Sequence, residues 1–180
     1  MDGKDLLIKL SEASAVSGDE SKIHGILNDY FSQVADKTET GNIGNFVAFK
    51  KGSSKKCLKV MIAAHADEIG LMVKDIDKRG FIHFTTVGGV DLKTLPAQEV
   101  IIHGKKEIFG VIGAKPPHVL SKEDRKKAIK MEDMTIDTGL TPDDVNKYIS
   151  IGDFITIKRK CANLLGDYIT GKAIDNRASI

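Results

Sequence analysis

Apolar positions follow two different rhythms along this chain. Near the N-terminus they recur at helical spacing. Leu6, Leu7 and Leu10 predict a short helix over residues 5–13, and Ile23, Ile26, Leu27, Tyr30, Phe31 and Val34 mark the buried stripe of a second. Ser17 is the expected cap of that second helix, with Asp19 and Glu20 in its first turn, where the helix dipole favours acids. After a turn at residues 41–45 the runs shorten. Strands are expected over 46–50 and 58–64, joined across a lysine-rich tip, then over 71–76, 81–87, 98–102 and 108–112. Short strands at such tight intervals predict a small β-barrel or sandwich.

Pro116 and Pro117 end that run, since proline cannot continue a central strand. Residues 121–134 are highly charged and read as an exposed loop. Thr141, Pro142, Asp143 and Asp144 then open a helix running to about residue 149, with Thr as cap and Pro at the first helical position. A last strand is expected over 154–158, and residues 164–169 lead back. The chain therefore divides into an α/β domain, residues 1–70 and 164–180, interrupted by a β-rich insert at 71–163.

Composition narrows the function classes. The chain has 180 residues, 41% of them hydrophobic and 29% charged, as in a soluble globular protein. Its 27 basic and 25 acidic residues leave a net charge of +2, which points to no nucleic-acid or membrane partner. No apolar stretch reaches membrane-spanning length, and no apolar core follows the first residues as a signal peptide requires. The two cysteines, Cys57 and Cys161, make no disulfide framework and read as reduced thiols of a cytoplasmic protein.

The candidate chemistry gathers at residues 59–70. An apolar run ending in Ala63 and Ala64 reads as a strand buried on both faces, of the kind found inside a parallel sheet. Functional groups in such sheets collect just past the strand's carboxyl end, where His65, Asp67 and Glu68 stand. In extended backbone, residues two apart point the same way, so His65 and Asp67 share one side while Glu68 faces the other and is expected to pair structurally. A neutral imidazole is a common divalent-metal ligand, and a neighbouring carboxylate can take its second N–H and fix its tautomer. The blander reading is a strand end with a solvated turn. At the far end, Asp175-Asn176-Arg177 follows Gly171-Lys172-Ala173-Ile174. Alone, Asp-Asn is normally a turn.

Taken together, the motifs of residues 17–20, 64–70, 110–118, 151–153 and 171–177 resemble the tetrahedral (TET) aminopeptidase family, also called the glutamyl aminopeptidase or cellulase-M-like family, of cocatalytic metallopeptidases. The resemblance covers the whole chain. It implies an α/β metallopeptidase domain of the phosphorylase/hydrolase-like class, incomplete here, interrupted by a PDZ-like β-barrel that serves assembly. It implies peptide substrates, two divalent metal ions per subunit (zinc or cobalt), and self-association into dimers and a tetrahedral dodecamer. Residue by residue, His65 is the expected ligand of one metal, Asp175 bridges both, and Asp67 serves catalysis by orienting His65. Relatives hold the peptide after the bridging acid in the cis form, here Asp175–Asn176. The family continues well beyond this point, with a glutamate pair, a further acid and a final histidine; the 180 residues alone are therefore expected to hold a metal pair poorly and to be inactive.

Other residues carry blander expectations. His83 reads as a surface or interface residue, His103 as a turn residue, His118 as a pocket or subunit contact, Asp91 as a loop cap, and Arg177 as a partner of a site carboxylate. Two other functions stand beside the peptidase: an inactive assembly module, and a glucanase. The second needs two carboxylates across a sugar cleft, usually with aromatic platforms, and fits poorly with no tryptophan and 6% aromatics.

Overall fold

A computed structural model of the chain describes residues 3–54, 58–119, 121, 123 and 127–180. The fold is mixed α/β and comprises two compact units. One is Met1–Glu68 with Lys160–Ile180; the other is Ile69–Arg159.

In the first unit, helix α1 (Gly3–Glu12) buries Leu10 and Ser11, and α2 (Ser21–Phe31) buries Ile23 and Leu27. Leu10, Ala15, Ile23 and Leu27 form a small core, against which Phe31, Phe46, Ala66 and Ile180 pack. Helix α2 starts four residues later than Ser17 and ends before Val34, which is exposed. Its cap position is Glu20, which makes no side-chain cap bond and instead accepts from Gly18 N–H at 2.7 Å, while the Ser17 hydroxyl is engaged with Asp67. Strand β1 (Lys37–Thr40) pairs antiparallel with β2 (Phe46–Phe49), and the turn between them closes through Gly41 N–H to Asn45 O at 2.8 Å. Gly44 in that turn has φ +86°, a conformation glycine adopts at no steric cost.

The expected buried strand at 58–64 is not there. The hairpin partner of β2 is β1, and residues 58–64 run without strand pairing. Leu58, Val60, Met61 and Ile62 are 80–91% exposed. The apolar run carries the pattern of a central strand, but burial needs neighbours on both edges and both faces, and the described residues provide none. Substituting Ile62→Ser in this chain is therefore expected to change the unfolding free energy by less than about 0.5 kcal/mol. Urea unfolding measures this, and a loss on the scale of a core deletion would show that the run is packed.

The second unit is a closed barrel in the order β3-β4-β7-β6-β5-β8. Its strands are β3 (Gly70–Ile76), β4 (Ile82–Val87), β5 (Glu99–His103), β6 (Glu107–Ala114), β7 (Met134–Asp137) and β8 (Phe154–Ile157), all neighbours antiparallel. Closure leaves no free sheet edge. A register shift between Val73 and Asp75 helps β3 curve. Period-two alternation fills the interior: on β6, Ile108, Gly110 and Ile112 point in, while Phe109 and Val111 point out. Leu71, Ile82, Ile102 and Ile136 complete the centre.

Helix α3 (Pro142–Tyr148) begins as the sequence predicts, with Thr141 Oγ1 accepting from Asp144 N–H and Val145 buried. Asp91 is a loop cap, accepting from Lys93 N–H at 3.0 Å. Two expectations change. Strand β7 emerges from the end of the charged stretch, because Met134 and Ile136 alternate into the core. His103 ends β5 rather than sitting in a turn, and its buried ring lies 2.9 Å from Thr156 Oγ1. Cys57 lies outside the described residues, and Cys161 carries no disulfide. Among the described residues no helix is long and apolar enough to cross a membrane.

Back in the first unit, β9 (Ala162–Asn163) pairs with β10 (Ile169–Thr170), and one kinked helical turn, Ile174–Arg177, follows. Gly171 between them has no room for a side chain: a Cβ there would meet Cys161 Sγ at 2.5 Å and Ser11 Oγ at 2.7 Å.

Candidate functional site

Three segments of the first unit meet: the stretch after α1, residues 65–68, and residues 172–177. Backbone bonds join the first two. Glu68 N–H donates to Ala15 O at 2.8 Å and Ser17 N–H to Glu68 O at 3.3 Å, a single parallel bridge. This bridge fixes the direction of the His65–Asp67 segment, whose extended course puts both side chains on one side.

His65 lies between two carboxylates. Its Nδ1 stands 2.9 Å from Asp67 Oδ1, and its Nε2 stands 3.3 Å from Asp175 Oδ1. The two ends of the ring thus meet residues two and 110 positions away. His65 is 55% exposed and Asp175 95%, so solvent reaches the space between Nε2 and the Asp175 carboxylate. The Asp175–Asn176 peptide is cis.

Asp67 is tied down from behind. The Ser17 hydroxyl donates to its Oδ2, which leaves Oδ1 for the imidazole. The Ser17 bond, and after it the contact with His65, hold the Asp67 carboxyl below the usual carboxylate range. A carboxyl depressed in the folded state stabilises the fold above its unfolded value, near pH 4, and that contribution is lost as pH falls through the lower folded value. The variant Ser17→Ala is expected to raise the Asp67 pKa towards the ordinary value, read from its carboxyl carbon resonance during acid titration. An unchanged titration would mean that the hydroxyl does not support the carboxylate.

Glu68 turns away from His65 and Asp67, as its position in the alternation requires. It is buried and paired with Lys172, whose Nζ lies 2.6 and 2.9 Å from its two oxygens. Glu68 Oε1 also accepts from Ala15 N–H at 3.2 Å. Burial pushes the Lys172 ammonium down from its ordinary pKa, and Glu68 opposes the shift. Arg177, expected to pair with a site carboxylate, stands 3.8 Å from Glu68, but its close partners are backbone carbonyls. Lys172 and the role of Ser17 were missed in the sequence. Ser17 was legible as a polar residue before a helix, and nothing local distinguishes a cap from a tertiary contact.

His83 lies on β4 and His118 in a 3₁₀ turn after β6. Both belong to the second unit. Among the described residues, no group of three or more His, Cys, Asp or Glu side chains is close enough to hold a metal ion by itself.

The M42 glutamyl aminopeptidase family matches residues 44–180. The chain is 38% identical over 177 residues to the putative aminopeptidase FrvX of Escherichia coli, covering 96% of this chain and 49% of that one. It superposes with TM-score 0.89 and 30% identity on a TET aminopeptidase from a marine sediment archaeon of the Thaumarchaeota, covering 98% of this chain and 50% of the other. The TET1 peptidase of Pyrococcus horikoshii, described as able to assemble into a tetrahedron or a large octahedral shell, gives TM-score 0.85 at 29% identity over 99% of this chain and 53% of its own. The chain spans about half the length of the relatives it matches. It belongs to the M42 glutamyl aminopeptidase family.

Proposed function

We propose that this chain supplies part of the metal-binding half-site of a cytoplasmic aminopeptidase that removes N-terminal residues from peptides by cocatalytic two-metal hydrolysis. One observation carries the reading: His65 Nε2 and Asp175 Oδ1 face each other at 3.3 Å, with Asp67 on the opposite ring nitrogen. The donor set fits a divalent cation of the zinc, cobalt or manganese type, for which imidazole and carboxylate are suitable ligands. His65 and Asp175 would hold it, and Asp175 would also serve a second ion. Bound there, such ions would polarise a scissile carbonyl and lower the pKa of water.

The chain's own residues supply orientation. Asp67 accepts the Nδ1 proton, which leaves the Nε2 lone pair directed at the site, and Ser17 keeps Asp67 from rotating. Among the described residues this site gathers two donors and no general base, which do not complete the reaction, and by this reading further polypeptide supplies the remaining ligands and the base. The exposed run 58–62 supports this: as a central strand pattern without neighbours, it fits an α/β sheet completed by further polypeptide. The barrel unit, by this reading, is the PDZ-like insert through which subunits form dimers and a tetrahedral dodecamer. The shell-forming relative supports that assignment.

The test is a Zn²⁺ titration of the chain followed by the His65 ring resonances, paired with an assay on aminoacyl p-nitroanilides. Zn²⁺ is expected to shift His65 in the parent and not in Asp175→Asn, and pure 180-residue material is expected to release no product with zinc or cobalt. A His65 ring indifferent to zinc would remove the metal reading. Turnover by the 180 residues would show that no outside ligands are needed.

A further inference from the structure

Among the described residues Arg177 is the largest fully buried side chain of its unit, and it stands two residues beyond Asp175. Its guanidinium is spent on backbone. Nη1 donates to Leu10 O and Ala13 O, each at 2.6 Å; Nη2 donates to Ala15 O at 3.4 Å; and Nε donates to Ala66 O at 2.7 Å. The last acceptor is the carbonyl of the residue between His65 and Asp67. One rigid planar group thus joins the segment bearing Asp175 to the segment bearing His65, and anchors both to the end of α1, without touching either side chain.

The neighbouring charges explain why the group stays. Glu68 is the buried carboxylate facing both Lys172 and Arg177, at 2.6 and 3.8 Å. Lys172 Nζ reaches Ala13 O at 3.3 Å and so grips the same turn from the other side. A lysine at 177 could not reproduce the arrangement. Its three donors radiate from one point on a flexible stem, whereas the guanidinium fork presents five N–H groups in fixed directions.

We infer that Arg177 is the positioning residue of this site: it sets the separation of His65 Nε2 and Asp175 Oδ1, and through that separation the affinity for a divalent cation. The inference rests on the metal reading above. If Arg177 only stabilised the fold, any substitution of equal cost elsewhere in the unit would weaken metal binding equally. If it positions the ligands, Arg177→Lys weakens binding beyond that control.

The experiment compares Zn²⁺ binding at the His65 ring in the full chain, in Arg177→Lys and in Leu27→Ala, a core substitution on α2. Arg177→Lys is expected to bind about 10- to 100-fold more weakly than the parent, the range found when groups supporting metal ligands are lost, with Leu27→Ala close to the parent. Should Arg177→Lys be unfolded without metal, its thermal midpoint is measured against zinc concentration, since binding to the folded state raises the midpoint by linkage. No rise at concentrations that saturate the parent supports the inference. Equal affinity in Arg177→Lys and the parent, or an equal loss in Leu27→Ala, overturns it. Failure of the parent itself to bind at His65 overturns the metal reading instead, so the two failures are distinguishable.

Discussion

The Glu68→Gln variant is expected to unfold about 3–5 kcal/mol more readily than the parent chain, the cost of breaking a buried ion pair by removing one partner. Glu68 and Lys172 side chains are 4% and 11% exposed, so solvent screens the pair little. Glutamine keeps the shape and one acceptor but removes the charge. It leaves the Lys172 ammonium buried, and the Arg177 guanidinium loses the carboxylate 3.8 Å away. Replacing both partners by apolar groups, Glu68→Leu with Lys172→Met, is expected to recover part of the loss, because the uncompensated ammonium disappears with its partner. Recovery stays incomplete while Arg177 remains. Urea unfolding of the two single variants and the double variant gives the coupling directly, and purely additive single effects would mean that the pair contributes nothing as a pair.

The second large effect concerns the imidazole. His65→Ala is expected to weaken zinc binding by at least about 100-fold, since loss of groups that merely support a ligand already costs about 10- to 100-fold and here the ligand itself goes. Asp67→Asn should fall within that smaller range. Its amide retains one acceptor oxygen but no charge, so the ring's tautomer is less firmly set. Stability should change little in His65→Ala, because the side chain is 55% exposed and makes no core contact. Competition with a chromophoric chelator measures the affinities. Equal binding in His65→Ala and the parent would place the cation elsewhere.

How much of this was legible in the sequence depended on the range of the interaction. Local regularities were readable. Thr141 capping α3, Asp91 capping its turn, and the alternation of β6 each follow from residues a few positions apart. The two-residue spacing of His65 and Asp67 was equally local, and it predicts the shared side on which Nδ1 and Oδ1 meet. The meeting of Asp175 with His65 was not local, and only the family resemblance brought those positions together. Burial of a strand was the least readable. Residues 58–62 have a core pattern and yet are exposed, since a pattern states what a strand can bury and not whether neighbours exist to bury it. Conversely, β7 hides two fully buried residues at the end of a charged stretch. Arg177 was expected to pair with a site carboxylate, and its true partners left no sequence signal, because they are carbonyls, which every residue carries.

Anomalous diffraction from zinc-soaked crystals of the chain tests the central claim most directly. The account predicts a zinc peak about 2.0–2.2 Å from both His65 Nε2 and an Asp175 oxygen, with Asp67 still bonded to Nδ1. A zinc ion bound through Nδ1 in place of Asp67, or bound away from Asp175 altogether, would contradict it.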